Sequence, residues 1–140
     1  MLETLHIENV AVIKDVTVNF GEGLTVLTGE TGAGKSVIID CLNLVCGARA
    51  SKDMVRAGED RATVEAVFDR IPENVRLLLS DFGCNIEDGE LVLSFSIFPD
   101  GRSNIRANGK SVTKSLLRQI GKNLVSVCGQ DDARVRYTGE

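Results

Sequence analysis

Apolar and polar positions alternate through most of the first twenty residues. Leu5 and Ile7 fall on one face of a strand over Leu2 to Glu8, with Thr4, His6 and Glu8 opposite, which makes His6 a surface-facing strand residue. Val16, Val18 and Phe20 alternate with Thr17 and Asn19 in a second strand, and the pair is expected to be two edge strands. Gly21-Glu22-Gly23 then turns the chain into Leu24, Val26 and Leu27, a short apolar run suited to a strand buried on both faces. Beyond it the period lengthens. Val37, Ile38, Cys41, Leu42 and Val45 form one broad helical stripe, and Gly47 stands where such a helix ends.

The segment from 48 to 60 is polar and reads as a surface loop, with Arg49, Lys52, Arg56 and Arg61 in or next to it. Alternation then returns. Ala62, Val64, Ala66 and Phe68 share one face of a strand, and Leu91, Leu93, Phe95 and Ile97 share one face of another. Between them, Pro72 to Phe82 predicts a short helix carrying Val75, Leu78, Leu79 and Phe82. Pro99-Asp100-Gly101 turns the chain into a return strand over Ser103 to Ala107, and Asn108-Gly109 is a tight-turn signal. Residues 61 to 112 are therefore expected to be an antiparallel meander beside the rest of the core. A helix carrying Leu116, Leu117 and Ile120 should stop near Gly121, and Leu124 to Cys128 reads as a last core strand. There is no internal repeat or low-complexity linker, so residues 1–140 read as a single domain.

Composition narrows the class. The chain is 43% hydrophobic with a formal net charge of −4, so no global basic field advertises nucleic acid, although a local basic patch stays open. Cys41, Cys46, Cys84 and Cys128 show no C-x-x-C spacing and lie apart from His6, which argues against zinc and for reduced thiols in a cytosolic protein. No apolar run reaches membrane-spanning length and the amino terminus has no signal-peptide pattern, so the expected location is cytoplasmic, with no membrane partner.

The chemistry concentrates between the buried strand and the first helix. Gly29-Glu30-Thr31-Gly32-Ala33-Gly34-Lys35-Ser36 fits G-x-x-x-x-G-K-[ST], with the strand before and the helix after that this motif requires. Glycines at 29, 32 and 34 let backbone N–H groups converge on phosphate oxygens, and the helix that starts there adds unpaired donors, Val37 being the next residue along. Lys35 is placed to bridge β- and γ-phosphates, and the Ser36 hydroxyl to ligate Mg²⁺. The other reading is a plain strand-to-helix turn, which the full strand, loop and helix context opposes. Arg49 has two readings as well, a solvated loop residue or a guanidinium that reaches a nucleotide or DNA phosphate.

A hydrolytic phosphate-loop enzyme also needs an acid after a second apolar strand. Asp81 follows a run of leucines that looks helical, and Asp131-Asp132 stand beyond Gly129-Gln130, so neither position satisfies the requirement cleanly. Gln130 itself, at a strand end facing the loop, has the chemistry to place its amide oxygen on Mg²⁺ and its amide on the attacking water. As an isolated glutamine it reads equally as a turn residue.

Together these stretches resemble a known family. Ile7-Glu8-Asn9-Val10-Ala11-Val12-Ile13, Gly23 to Thr28, Gly29 to Ser36, Gly47-Ala48-Arg49-Ala50 and Gly129-Gln130 look like the amino-terminal half of a RecN-type head, from the bacterial, SMC-like ATPases of DNA double-strand-break repair. The resemblance covers residues 1 to about 130. It implies an α/β P-loop NTPase fold of the ABC/SMC type, a core sheet with an added antiparallel β lobe. It implies ATP and Mg²⁺ at Gly29 to Ser36, Gln130 as the Q-loop glutamine and Arg49 as a phosphate-facing arginine. It also implies three partners: the carboxy-terminal half of the same head beyond a coiled coil, a second head joined as a homodimer by ATP, and DNA in the full-length, nucleoid-associated protein. The chain departs from the family after Gln130, where Asp131-Asp132-Ala133-Arg134 replaces a His-Glu-His-like stretch. On this reading the chain alone turns ATP over poorly, because the signature motif and the Walker B acids belong to the other half. Two rivals stand beside it: a self-contained P-loop kinase using Asp81 or Asp131-Asp132, and a nucleotide-binding interaction module without catalysis.

Overall fold

The strands that the alternation predicts come together in one six-stranded antiparallel sheet. A computed structural model describes residues 2–20, 32–86 and 89–121, with the side chains of 32–35 outside that description. The strands are β1 (Leu2–Val10), β2 (Ile13–Asn19), β3 (Ala62–Phe68), β4 (Leu91–Ile97), β5 (Ser103–Ala107) and β6 (Lys110–Ser111), in the order β2-β1-β3-β4-β5-β6. The expected pair of edge strands is therefore corrected in one respect. β2 lies at an edge, whereas β1 pairs on both sides, with β2 and with β3. The lead strands and the 61–112 meander are continuous through that second pairing.

Simple alternation does not hold along β1, which runs two residues past Glu8, for a physical reason. The register shifts between Leu2 and Thr4, so Leu2 and Leu5 both turn inward. Asn9 then adopts a left-handed φ of 58°, and Val10 is buried three residues after Ile7. In β3 and β4 the period of two holds without a break, and every second residue is buried.

Helices cover the apolar face. Helix α1 (Gly32–Val45) buries the whole predicted stripe and also Leu44. It ends as the glycine predicts: Gly47 takes φ 108°, its N–H donates to the Leu44 carbonyl, and the Ala48 N–H donates to that of Asn43. Helix α2 (Glu73–Asp81) closes in the same way at Gly83 and Cys84. Its apolar face is narrower than expected, because Val75 and Leu79 are buried while Phe82 lies beyond the last turn, exposed. Residues 114–121 form a third helix, α3, started by Thr113, whose Oγ1 accepts from the Leu116 N–H. α3 buries Leu116, Leu117 and Ile120 as predicted.

α1 and α3 touch at their ends. A Cβ on Gly121 would lie 2.5 Å from the Cys46 carbonyl oxygen, and one on Gly47 would lie 3.3 Å from Arg118 Cγ. The core between sheet and helices contains no buried polar residue among those described. Each large aliphatic side chain buried there contributes about 1.5–3 kcal/mol. The predicted strands at Leu24–Leu27 and Leu124–Cys128 lie outside the described residues.

Candidate functional site

Helix α1 starts at Gly32, inside the glycine-rich octet, so the helix amino terminus and the motif coincide. The first four N–H groups of a helix have no partner within it. Here they belong to Gly32, Ala33, Gly34 and Lys35, the residues the motif assigns to phosphate. No acidic residue stands in the first turn to oppose an anion. Gly29, Glu30 and Thr31 lie outside the described residues, as does the Lys35 side chain. Ser36 is exposed, its hydroxyl open to a ligand, whereas the Val37 side chain is buried in the core. Val37 can thus offer a ligand only its backbone.

Arg49 is held elsewhere. It follows the glycine stop at the far end of α1, a helix of 14 residues and hence about 21 Å long. Its side chain is exposed, with no hydrogen bond or ion pair to another described residue. The chain then runs through a 3₁₀ turn (Lys52–Met54) back to the β1–β2 turn, where the Ala11 N–H donates to the Met54 carbonyl. The Arg56 guanidinium donates to the Ala11 and Val12 carbonyls at 3.4 and 3.3 Å. This tie is a positioning feature that the sequence pattern missed, since nothing local marks Arg56 apart from the other loop arginines.

The remaining candidates separate. Asp81 is exposed on the last turn of α2, so it follows a helix rather than a strand. Gln130, Asp131 and Asp132 lie outside the described residues. Cys41 is fully buried on α1; its thiol is pushed up to about 12 by burial and, second, by the Asp40 carboxylate. That makes it an inert packing group. No set of three His, Cys, Asp or Glu side chains among the described residues is arranged to hold a metal. No described helix is long and apolar enough to cross a membrane.

Comparison with known proteins decides the family. A family described as an AAA domain matches residues 4–134. The chain belongs to that AAA domain family. Among characterised proteins it is 45% identical over 133 residues to DNA repair protein RecN of Halalkalibacterium halodurans, covering 94% of this chain. It is 44% identical over 143 residues to DNA repair protein RecN of Bacillus subtilis, covering 100% of this chain. The AAA-domain chain spans 24% of the length of each of these relatives. In structure it is similar to a chain solved in work on ATP-driven dimerization and DNA-stimulated activation of SMC ATPases. That match has a TM-score of 0.65 and 27% identity, over 85% of this chain and 76% of that one. The RecN-type resemblance is thereby borne out, and the fold is the α/β P-loop fold of SMC-type ATPase heads. Nucleotide binding is the property this ATPase family implies.

Proposed function

We propose that the chain is the amino-terminal, ATP-binding half of an SMC-like ATPase head that acts in DNA double-strand-break repair. The observation that carries the reading is the start of α1 within the octet, with unpaired N–H groups, no opposing acid and an exposed Ser36. Gly29 to Ser36, with the Val37 backbone, hold the triphosphate. Lys35 neutralises its β- and γ-oxygens, and Ser36 supplies a hard oxygen for Mg²⁺. Bound there, Mg²⁺ would offset phosphate charge and fix the geometry of the terminal phosphoryl group. Gln130 is proposed as the residue that senses the γ-phosphate, following the strand expected at 124–128. Arg49 is proposed to meet a nucleotide or DNA phosphate; its place past the far end of α1 suits a contact outside the cradle of its own loop.

The relatives' names and the SMC neighbour support the wider assignment: a carboxy-terminal half that completes the head, a second head engaged through ATP, and DNA as the substrate of the full-length protein in the cytoplasm. Among the described residues every strand pairs antiparallel, which supports this reading over the compact-kinase rival, whose sheets are mainly parallel.

The test is steady-state ATP turnover by this chain with Mg²⁺, with nucleotide binding recorded on the same samples and beside Lys35→Ala. Binding that depends on Lys35, with turnover near background, is the expected result. Turnover that vanishes in Lys35→Ala would place a complete active site within 140 residues and overturn the half-head reading.

A further inference from the structure

Charge is distributed unevenly along this acidic chain. Residues 101–130 contain six of its 16 cations, Arg102, Arg106, Lys110, Lys114, Arg118 and Lys122, and none of its 20 acids. Such asymmetry within one chain is a mark of a polyanionic partner. The fold gathers the five described members, all exposed, on one edge. Arg106 lies on β5, the last long strand of the sheet, Arg102 stands immediately before it, and Lys110 lies on β6 beyond it. Lys114 and Arg118 stand one turn apart on the exposed side of α3. Strand and helix meet here, since Lys114 and Ser103 line the same small pocket and the Val112 N–H donates to the Ile105 carbonyl. The basic strip thus wraps from the outer sheet face, round the β6 edge, onto the helical layer.

The groups facing these cations leave most of the charge unspent. Asp100 pairs with Arg102 at 2.7 Å, which neutralises that one. Arg106 makes a long contact of 3.5 Å to the Gly109 carbonyl, and Lys110 and Lys114 make no ion pair with a described acid. On the adjoining outer face, the positions next to β5 are small and polar, Ser94 and Ser96 on β4, opposite Arg106 and Asn104, and the Ser94 hydroxyl donates at 3.2 Å to the Glu65 carboxylate one strand further on. At its end the Phe98 ring is flanked by the Arg61 and Arg102 guanidiniums, at 5.0 and 4.8 Å from its centre. On the opposite side of the sheet the edge strand β2 carries Asp15, with Glu8 beside it on β1, both exposed.

We propose that this β5–β6–α3 edge is a binding surface for the phosphate backbone of duplex DNA, with Arg106, Lys110, Lys114 and Arg118 supplying the charge. The choice of DNA among polyanions rests on the function proposed above. Exposed cations interleaved with small polar side chains suit contacts to phosphates rather than to base edges, so binding is independent of sequence.

The experiment titrates the chain into a fluorescein-labelled 30-base-pair duplex at several salt concentrations, beside the triple variant Arg106→Gln, Lys110→Gln, Lys114→Gln. Arg118 is left in place because it packs on Gly47. The expected result is a slope of log K against log salt that is shallower by about two to three in the variant, with affinity reduced at least about tenfold near 0.1 M salt. Lys14→Gln, on the opposite edge, should keep the original slope. Nucleotide binding measured on the same samples should match between chain and triple variant, which shows the variant folded and keeps the two proposals separable. Loss of Lys35-dependent ATP binding with duplex binding intact would sink only the assigned nucleotide site. Absence of duplex binding at 50 mM salt, an unchanged slope in the triple variant, an equal loss in Lys14→Gln, or capture by phosphatidylglycerol vesicles without duplex binding would each overturn the edge as a DNA surface.

Discussion

Two residues, Gly121 beside α1 and Cys41 on it, set sharp expectations. Gly121 sits where α3 crosses the end of α1, and the atom that a new Cβ would meet at 2.5 Å is the backbone oxygen of Cys46, which has no free rotamer to yield. Gly121→Ala should cost about 1–3 kcal/mol by overpacking. Gly58 has φ 86° with nothing within 4 Å of the added carbon, so Gly58→Ala should cost only the left-handed strain, about 1 kcal/mol. Urea denaturation of both variants checks the ranking, and an equal loss would mean the helices do not meet this closely. Cys41 carries the second expectation. Burial and, second, the Asp40 carboxylate raise its folded pKa to about 12, so the folded chain keeps the thiol proton after the unfolded chain has released it. Stability from this group is therefore complete below about pH 9 and falls as pH rises toward 12, by at most about 1.4 kcal/mol per pH unit. Iodoacetamide labelling at pH 8 should modify the half-buried Cys46 well before Cys41, and denaturation midpoints in Cys41→Ala should lose part of the alkaline slope.

At the scale of elements, the sequence was most legible where one physical demand governs a whole segment. β3 and β4 are unbroken alternations, and α1 is one apolar stripe closed by a glycine. These were readable because each buries a single face throughout. Reading was poorer where backbone conformation overrides the pattern. The bulge near Leu2 and the left-handed Asn9 shift the inward face of β1, and alternation cannot register either. Phe82 has helical spacing but follows the turn that terminates α2, so spacing alone recruits it wrongly. Pairing partners are harder still. Nothing local in Leu2 to Val10 says that β3, more than fifty residues later, will take its free side, because strand pairing is a contact between segments distant in sequence. At the candidate site, the motif points to a phosphate cradle at Gly29 to Ser36, and the structure adds a buried Val37, an exposed Ser36 and an Arg49 at the other helix end.

Across the whole molecule, α1 connects the two surfaces to which ligands are assigned. Its amino terminus opens in the octet proposed for nucleotide, and its carboxy terminus abuts α3, whose exposed side belongs to the basic edge. A helix of about 21 Å is a suitable rod for coupling, but coupling requires an element with two arrangements that both ligands bias. The contact between the helices argues for one arrangement. Gly121 lets the helices meet with no space for a methyl group and Gly47 leaves little, so a shift of α3 along α1 would open a gap in a core that has no buried polar residue among those described. The chain by itself should therefore bind nucleotide and duplex independently. Duplex titrations with and without saturating MgATP should give Kd values within about twofold of each other, the value for a coupling free energy near zero. MgATP alone should still raise the melting temperature, because it binds only the folded state, and Lys35→Ala should remove that rise. A duplex Kd that moves tenfold with MgATP would reveal a switch already present in these 140 residues. Agreement within twofold would place the coupling in the rest of the relatives' length, where a second head closing on the nucleotide would provide the missing second arrangement.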